Sequence, residues 1–360
     1  MKKLRVLIVD DSAVYRSQIR QAIEATGEFE VAGVAANGKI AMEKLFQVEA
    51  DVVTLDLEMP EMDGIATIRA MKDKKLSQRI IVFSAQSLAG AKTTLDALSL
   101  GAMDFVPKPI AANGMAIGHQ LIGQQLLPIL RAIAKPSYVL NEPIAKPATT
   151  SIVEPQWKSR SINDMLVQAL VIGSSTGGPN ALENIFKSIR GHLKVPIFIV
   201  QHMPPVFTAT LAERLKQISG LDVREAKDNE SVVSGRVYVA PGDFHMRIEK
   251  DPLRIVLHQG PKRQSVRPAC DELFESAAQI YGTGCLAVVL TGMGEDGTAG
   301  AIAVKQNNGA VMIQNKESCA VYGMPGAVEK AQAFDRIADL TEISQVLNRL
   351  VFRGGALNVS

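Results

Sequence analysis

Ser175 stands at the centre of Gly173-Ser174-Ser175-Thr176-Gly177-Gly178, a G-x-S-x-G pattern between the apolar run Ala169 to Ile172 and a helical pattern. A serine on such a strand-to-helix turn is lifted clear of the sheet, beside free backbone amides of the next helix that can stabilise an oxyanion. The same amides and helix dipole also bind phosphate, so the turn by itself leaves a nucleophile, an anion cradle and a plain tight turn open. It carries neither a P-loop lysine after its glycines nor G-x-G-x-x-G. Partners narrow the choice. His202 follows the apolar run Val195 to Val200, and Asp296 follows Leu286 to Leu290 within Thr291-Gly292-Met293-Gly294-Glu295-Asp296-Gly297. At the carboxyl ends of three parallel strands, these residues converge on the crevice where open α/β sheets bind ligands. The histidine takes the serine proton, and the carboxylate fixes its tautomer and steadies the imidazolium. Asp243, just beyond the run Val237 to Ala240 and two residues before His245, competes for the carboxylate role, and spacing alone does not choose between the two.

A second constellation occupies the first third of the chain. Asp10 and Asp11 end the run Leu4 to Val9, Asp56 ends Val52 to Leu55, Ser84 ends Ile80 to Phe83, and Lys108 follows Phe105 to Val106. A lone aspartate at a strand end commonly caps a helix. Three carboxylates crowded at one sheet edge repel one another, and the usual remedy is a hard divalent cation such as magnesium held by oxygen ligands and water. Asp56 then acts as a nucleophile toward a phosphoryl group, its charge screened by the metal and by Lys108.

Both constellations require strands whose ends lie on one edge. From Leu4 to Pro109, five apolar runs (those above with Phe29 to Ala35) alternate with helical patterns, which predicts a doubly wound parallel sheet. A further helix is predicted from about Gly118 to Ala134, kinked or split at Pro128. Pro136, Pro143, Pro147 and Pro155, interspersed with serine and threonine, then mark an extended linker that includes Trp157, the only tryptophan. A second α/β pattern follows Ile162, with apolar runs at Ala169 to Ile172, Val195 to Val200, Val237 to Ala240, Leu286 to Leu290 and Ala310 to Ile313. Leu253 to Leu257 is expected to add an edge hairpin beside Val237 to Ala240. The fold class is therefore α/β, with two doubly wound parallel-sheet domains joined by a linker.

Composition bounds the function. At 360 residues the chain is long enough for two or three domains, each with a core of its own. Its three cysteines, Cys270, Cys285 and Cys319, are odd in number and lack metal-ligand spacing, so free thiols in a reducing compartment are expected, and with them a cytoplasmic location. No apolar run approaches membrane-spanning length. A formal charge of +2 and 5% aromatic residues do not call for nucleic acid, and no compact trihelical segment with a basic recognition helix follows Ile162.

The set Asp10, Asp11, Asp56, Met59-Pro60-Glu61-Met62-Asp63-Gly64 and Lys108-Pro109, the last a candidate cis bond, closely resembles the response-regulator receiver domain across residues 4 to 135. The resemblance implies a flavodoxin-like fold in which Asp56 is phosphorylated. Asp10, Asp11, Asp56 and the backbone carbonyl of Glu58 hold Mg2+, while Ser84 and Lys108 contact the phosphoryl group. Phe105 takes the place of the switch aromatic, often tyrosine in receivers.

The turn Gly173 to Gly178, Gln201-His202-Met203-Pro204-Pro205, Ala240-Pro241-Gly242-Asp243-Phe244-His245-Met246, Leu290 to Gly297 and Tyr322-Gly323-Met324-Pro325 resemble the chemotaxis receptor methylesterase family, CheB. That resemblance implies a Rossmann-like catalytic domain with Ser175 as nucleophile, His202 as general base and Asp296 as its partner, Asp243 and His245 lining or supporting the site. Thr176, Gly177 and Met293 supply the oxyanion amides. Ser174 stands where many members carry alanine. The expected layout is a receiver at 1–135, a linker at 136–164 and a methylesterase domain at 165–355. The implied reactions are hydrolysis of glutamate γ-methyl esters and deamidation of particular glutamines on methyl-accepting chemotaxis receptors, with no cofactor for the esterase step. A chemotaxis histidine kinase is the expected phosphodonor, and the receiver is expected to inhibit until Asp56 is phosphorylated. No nucleic acid and no membrane insertion are expected, and the chain is expected to be a monomer.

Overall fold

In the computed structural model the residues described are 3–109, 115–134, 161–189 and 192–351. The chain divides into two compact units, Met1–Lys135 and Pro136–Ser360. Most of the predicted linker, with Trp157, lies outside the described residues. Its last stretch is a short 3-10 turn, Ile162–Asp164, in which Ile162 is buried in the second unit.

The first unit alternates β1 (Leu4–Val9), α1 (Ala13–Glu24), β2 (Phe29–Ala35), α2 (Gly38–Leu45), β3 (Val52–Asp56), α3 (Gly64–Asp73), β4 (Arg79–Ser84), α4 (Leu88–Leu100), β5 (Asp104–Pro107) and α5 (Met115–Ala134). Its five strands are parallel in the order β2-β1-β3-β4-β5. β3 is buried at every position, as a strand covered by helices on both faces must be. Each of the first four helices starts at a capping side chain: Ser12, Asn37, Asp63 and Ser87 accept amide hydrogens from Tyr15, Ile40, Ala66 and Gly90. Such a cap contributes about 1 kcal/mol, and here it also fixes where the chain leaves the sheet edge. The register pairs Val9 with Leu55, Asp56 with Phe83 and Ser84 with Pro107, so Asp10, Asp56, Ser84 and Lys108 emerge together. Pro128 lies inside α5, which continues through it, so the predicted split does not occur. α5 packs along α1. The Lys108–Pro109 bond is not cis; among the described residues the cis bonds are Asp251–Pro252 and Arg267–Pro268.

The second unit contains β6 (Ala169–Ser174), α6 (Gly178–Ser188), β7 (Ile197–Gln201), α7 (Phe207–Ser219), β8 (Asp222–Glu225), β9 (Arg236–Val239), β10 (His245–Glu249), β11 (Arg254–His258), α8 (Cys270–Tyr281), β12 (Cys285–Val289), α9 (Thr298–Gln306), β13 (Ala310–Gln314), α10 (Met324–Lys330), β14 (Arg336–Ala338) and α11 (Leu340–Val351). Seven strands form a parallel sheet in the order β14-β13-β12-β6-β7-β9-β8. The central strands β12, β6 and β7 are buried throughout, and Phe198 stacks on Tyr238 at 5.4 Å between ring centres.

Leu253 to Leu257 does belong to a hairpin, but not beside β9. Its residues from Arg254 on lie in β11, which pairs antiparallel with β10 in a separate two-stranded sheet. The apolar pattern does not reveal β10, because Arg247 and Glu249 interrupt it; Met246 and Ile248 face the core packed by α8. Nor does it reveal β8 and β14. They are edge strands of four and three residues, and their burial is incomplete.

Candidate active site and phosphoacceptor site

At the carboxyl end of β6 the chain turns sharply into α6, with Gly177 in the left-handed region at φ 76°. Ser174 and Ser175 differ in environment. Ser174 is fully buried and its hydroxyl donates to Oε1 of Gln201 at 2.7 Å, whereas Ser175 is half-buried at the rim. The Gln201 amide in turn donates to the Ser175 carbonyl at 3.0 Å. A Cβ on Gly178 would fall 2.0 Å from Gln201 Oε1 and 2.9 Å from Ser174 Oγ, so the glycine makes room for that pair.

Register places the neighbouring strand ends beside the turn. Ser174 pairs with Gln201, and the amides of Ser175 and His202 donate to the carbonyls of Thr291 and Ser174 at 3.0 and 3.1 Å. His202 Nε2 lies 2.7 Å from Asp296 Oδ2, with both side chains largely buried. With Nε2 engaged by the carboxylate, Nδ1 is the nitrogen left for a serine hydroxyl. Asp296 is itself held by the start of α8: the amide of Cys270 donates to Oδ2 at 2.6 Å and that of Asp271 to Oδ1 at 3.1 Å. Burial alone would raise the Asp296 carboxyl; its hydrogen bond and charge interaction with His202, and the two amides, outweigh burial and lower it. It therefore stays an anion suited to stabilising an imidazolium.

The loop carrying Asp296 is tied down at its other end. Gly323 and Met324 donate their amides to the Gly292 carbonyl at 3.0 and 2.9 Å, and the Gly292 amide donates to Val321 at 3.0 Å. This is the structural work of Tyr322-Gly323-Met324-Pro325. A Cβ on Gly292 would meet Ser175 Cβ at 2.8 Å, which shows how closely the loop presses on the serine. The amides of Gly177 and Met293 donate to no described partner; Gly177 lies two residues after Ser175, and Met293 follows Gly292, which presses on Ser175.

Asp243, the rival carboxylate, is engaged elsewhere. Its Oδ1 accepts from Arg267 at 2.6 and 3.1 Å, and its Oδ2 from Gln259 at 3.1 Å. His245 is buried, with Nε2 3.0 Å from the carbonyl of Pro261 and its ring 5.2 Å from His258; burial lowers its basicity. The connection to the site is through backbone packing: a Cβ on Gly242 would meet Pro205 N at 2.3 Å, so this loop braces the segment after His202. Three residues near the site have no role that the sequence discloses: Gln201, Cys270 and Asp271. Gln201 enters there only as part of a motif. Cys270 Sγ lies 3.8 Å from His202 Nε2 as a neutral thiol, because burial and then the Asp296 charge push its pKa well up.

In the first unit, Lys108 Nζ lies 2.7 Å from Asp56 Oδ2 and 3.1 Å from Asp10 Oδ2. Tyr15 underlies that ammonium, 4.7 Å from ring centre to nitrogen. Burial pushes the Asp56 carboxyl up to about 6, the Asp10 charge adding to the effect and Lys108 opposing it. Burial raises Asp10 as well. Oxygens of Asp10, Asp11 and Asp56 lie within 4.8 Å of one another, and the buried Asp10 Oδ2 accepts no hydrogen bond of good geometry. An all-oxygen set with an unsatisfied buried lone pair fits a hard divalent cation. The Glu58 amide donates to Asp56 Oδ1 at 3.3 Å, and its carbonyl accepts no described hydrogen bond. The Ser84 hydroxyl is turned to the carbonyls of Gly90 and Ala85 at 3.1 and 3.3 Å, so it reaches a phosphoryl group only after rotation. Phe105 is buried.

Comparison with known proteins covers both units. The family model for CheB methylesterase matches residues 170–347, and that for the response regulator receiver domain matches residues 6–116. A protein-glutamate methylesterase/protein-glutamine glutaminase of Trichodesmium erythraeum is 38% identical over 98% of this chain and 100% of its own length. One of the same name from a Nocardioides species is 40% identical over 97% and 96%. The crystal structure of the Thermotoga maritima CheB methylesterase catalytic domain covers 51% of this chain and 99% of its own, at 44% identity and a TM-score of 0.50.

Proposed function

Since the chain belongs to the CheB methylesterase family, we propose that it removes methyl groups from glutamate γ-methyl esters, and deamidates particular glutamines, on chemoreceptors by acyl transfer through Ser175. The observation that carries the assignment is the 2.7 Å bond between His202, just after β7, and Asp296, just before α9, beside the Ser175 turn. Ser175 Oγ attacks the γ-carbonyl as its proton passes to Nδ1 of His202, and Asp296 stabilises the imidazolium. No described hydrogen bond joins Ser175 to His202, so a side-chain rotation on substrate binding completes the pair, as is common for catalytic contacts in unliganded enzymes. The tetrahedral oxyanion is held by amides of Thr176, Gly177 and Met293. Collapse expels methanol from an ester, or ammonia from an amide, with the proton returned by His202. Water then cleaves the acyl-enzyme along the same proton path.

The receiver domain makes the enzyme a response regulator, with Asp56 as phosphoacceptor and a chemotaxis histidine kinase as donor. Bound magnesium supplies charge neutralisation at the phosphoryl group, and Asp10, Asp11, Asp56 and the Glu58 carbonyl are the residues to hold it. Lys108 orients Asp56 and, with Ser84, receives the phosphoryl oxygens. In this reading 1–135 is a receiver that restrains a catalytic domain at 165–355 across a linker at 136–164, and phosphorylation lifts the restraint. A tenfold activation needs only about 1.4 kcal/mol of difference between restrained and active states. The protein acts as a monomer in the cytoplasm; among the described residues no helix is long and apolar enough to cross a membrane.

The test is methanol release from methylated receptor, with and without a small phosphodonor and magnesium. Stimulation by the donor that disappears in Asp56→Asn, and loss of all release in Ser175→Ala, are the expected results. Full release by Ser175→Ala sinks the chemistry, and an unchanged rate with donor sinks the regulation.

A further inference from the structure

Asp296 and Asp271 each cap the other's helix. Asp296, just before α9, accepts the first amides of α8 from Cys270 and Asp271. Asp271, in the first turn of α8, returns its Oδ1 to the first amides of α9, Gly297 at 2.9 Å and Gly300 at 2.7 Å. The helices approach closely here, since a Cβ on Gly300 would meet Asp271 Cα at 3.2 Å and Phe274 Cβ at 2.5 Å. We propose that Asp271 is a positioning residue for acyl transfer, setting the place and orientation of Asp296, and through it the His202 imidazole, by this reciprocal capping. The inference rests on the Ser175–His202–Asp296 reading above.

Three features point to positioning rather than to fold stability alone. The reciprocal bonds place a second buried carboxylate against the triad anion, a repulsive pair that a purely structural cap would avoid by using serine or asparagine. The arrangement is backed from outside: Arg263 approaches Asp271 Oδ2 at 3.7 Å and is itself bidentate to Glu275 at 2.8 Å, with Glu272 at 3.3 Å. Both capped amide groups also belong to residues beside catalytic atoms. Gly297 follows Asp296 directly, and Cys270 brings its thiol to 3.8 Å from His202 Nε2. Only Gly297, itself held by Asp271, stands between Asp296 and α9, so a displacement of that capped turn is passed directly to Asp296. Asp271 touches neither substrate nor His202 and acts only through Asp296.

The experiment compares Asp271→Ala, Asp271→Asn and Ser175→Ala in the full chain. Asp271→Asn keeps a side-chain oxygen for the Gly297 and Gly300 amides; Asp271→Ala leaves both without an acceptor. Methanol release should show kcat lowered by about a hundredfold in Asp271→Ala with KM unchanged, and most of that loss recovered in Asp271→Asn. Proton NMR supplies a readout apart from turnover: the low-field imidazole proton of His202 bonded to Asp296 should be present in wild type, Ser175→Ala and Asp271→Asn and lost in Asp271→Ala. An unchanged low-field proton and kcat in Asp271→Ala overturns the inference. So does an equal loss in both Asp271 variants. Activity in Ser175→Ala overturns the underlying reading, and the inference with it.

Discussion

Ser174 and Gln201 are locked together beneath the active-site turn: the hydroxyl donates to Oε1 at 2.7 Å, and the same amide group donates to the carbonyl of Ser175. This gives the two adjacent serines different environments, from which different roles are predicted. Ser174→Ala leaves the buried Gln201 oxygen without its donor, a loss of about 1–3 kcal/mol. Chemical denaturation should register that loss in the second unit, while methanol release stays within about tenfold of wild type. If Ser174→Ala is as inactive as Ser175→Ala, the assignment of roles is reversed.

Asp243 and Asp296 differ in what already holds their carboxylates. Arg267 and Gln259 occupy the Asp243 carboxylate, whereas Asp296 faces His202. Asp243→Asn is expected to retain most of kcat, because its backbone still braces the segment after His202. Asp296→Asn should lose on the order of 10⁴-fold, by analogy with triad carboxylates whose loss leaves the wrong histidine tautomer. Comparable losses in the two variants would show that the carboxylate was wrongly chosen.

Two glycines in the loop before Asp296 should behave differently. At Gly292 a Cβ would strike Met324 Sδ at 2.3 Å and Ser175 Cβ at 2.8 Å, so Gly292→Ala displaces the serine. At Gly294 a Cβ meets nothing within 4 Å, but φ is 84°, so Gly294→Ala costs about 1–2 kcal/mol of backbone strain without crowding the site. Labelling of Ser175 by an organophosphorus probe should fall at least about tenfold in Gly292→Ala and little in Gly294→Ala. The opposite order would rule out steric control of the serine.

What the sequence made legible was whatever repeats along it. Continuous apolar runs located the central strands of both sheets, and the polar residues closing those runs located Asp10, Asp56, Ser175 and His202. Interactions between distant segments were harder to see. The choice between Asp243 and Asp296 depended on Arg267, and the grip on Asp296 depended on the first turn of α8, whose Cys270 and Asp271 look like an ordinary helix start. β10 escaped because its outward charges break the apolar pattern, and β8 and β14 because edge strands need few buried residues.

Asp56 carries a pH signature that separates its protonation from the phosphoacceptor role proposed for it. Burial pushes its carboxyl up to about 6 from an ordinary 3.8, so between those values the folded chain holds a proton that the unfolded chain has released. The stabilisation from that proton is complete below about 3.8 and is lost as pH rises through 6. Asp56→Asn stays neutral throughout. Its stability relative to wild type should therefore increase from pH about 4 to about 7 and then level off, a tenfold difference in proton affinity being worth about 1.4 kcal/mol. Lys108 tempers the gain, since the variant leaves that ammonium paired with Asp10 alone. On the proposed reading magnesium is held by the ionised carboxylates, so at pH about 7.5 it should raise the melting temperature of the wild-type receiver and raise that of Asp56→Asn much less. Denaturation of both full-length proteins across this range, with and without magnesium, measures the two effects. A difference independent of pH would mean that the Asp56 carboxyl is ionised throughout, with Lys108 rather than burial setting its charge.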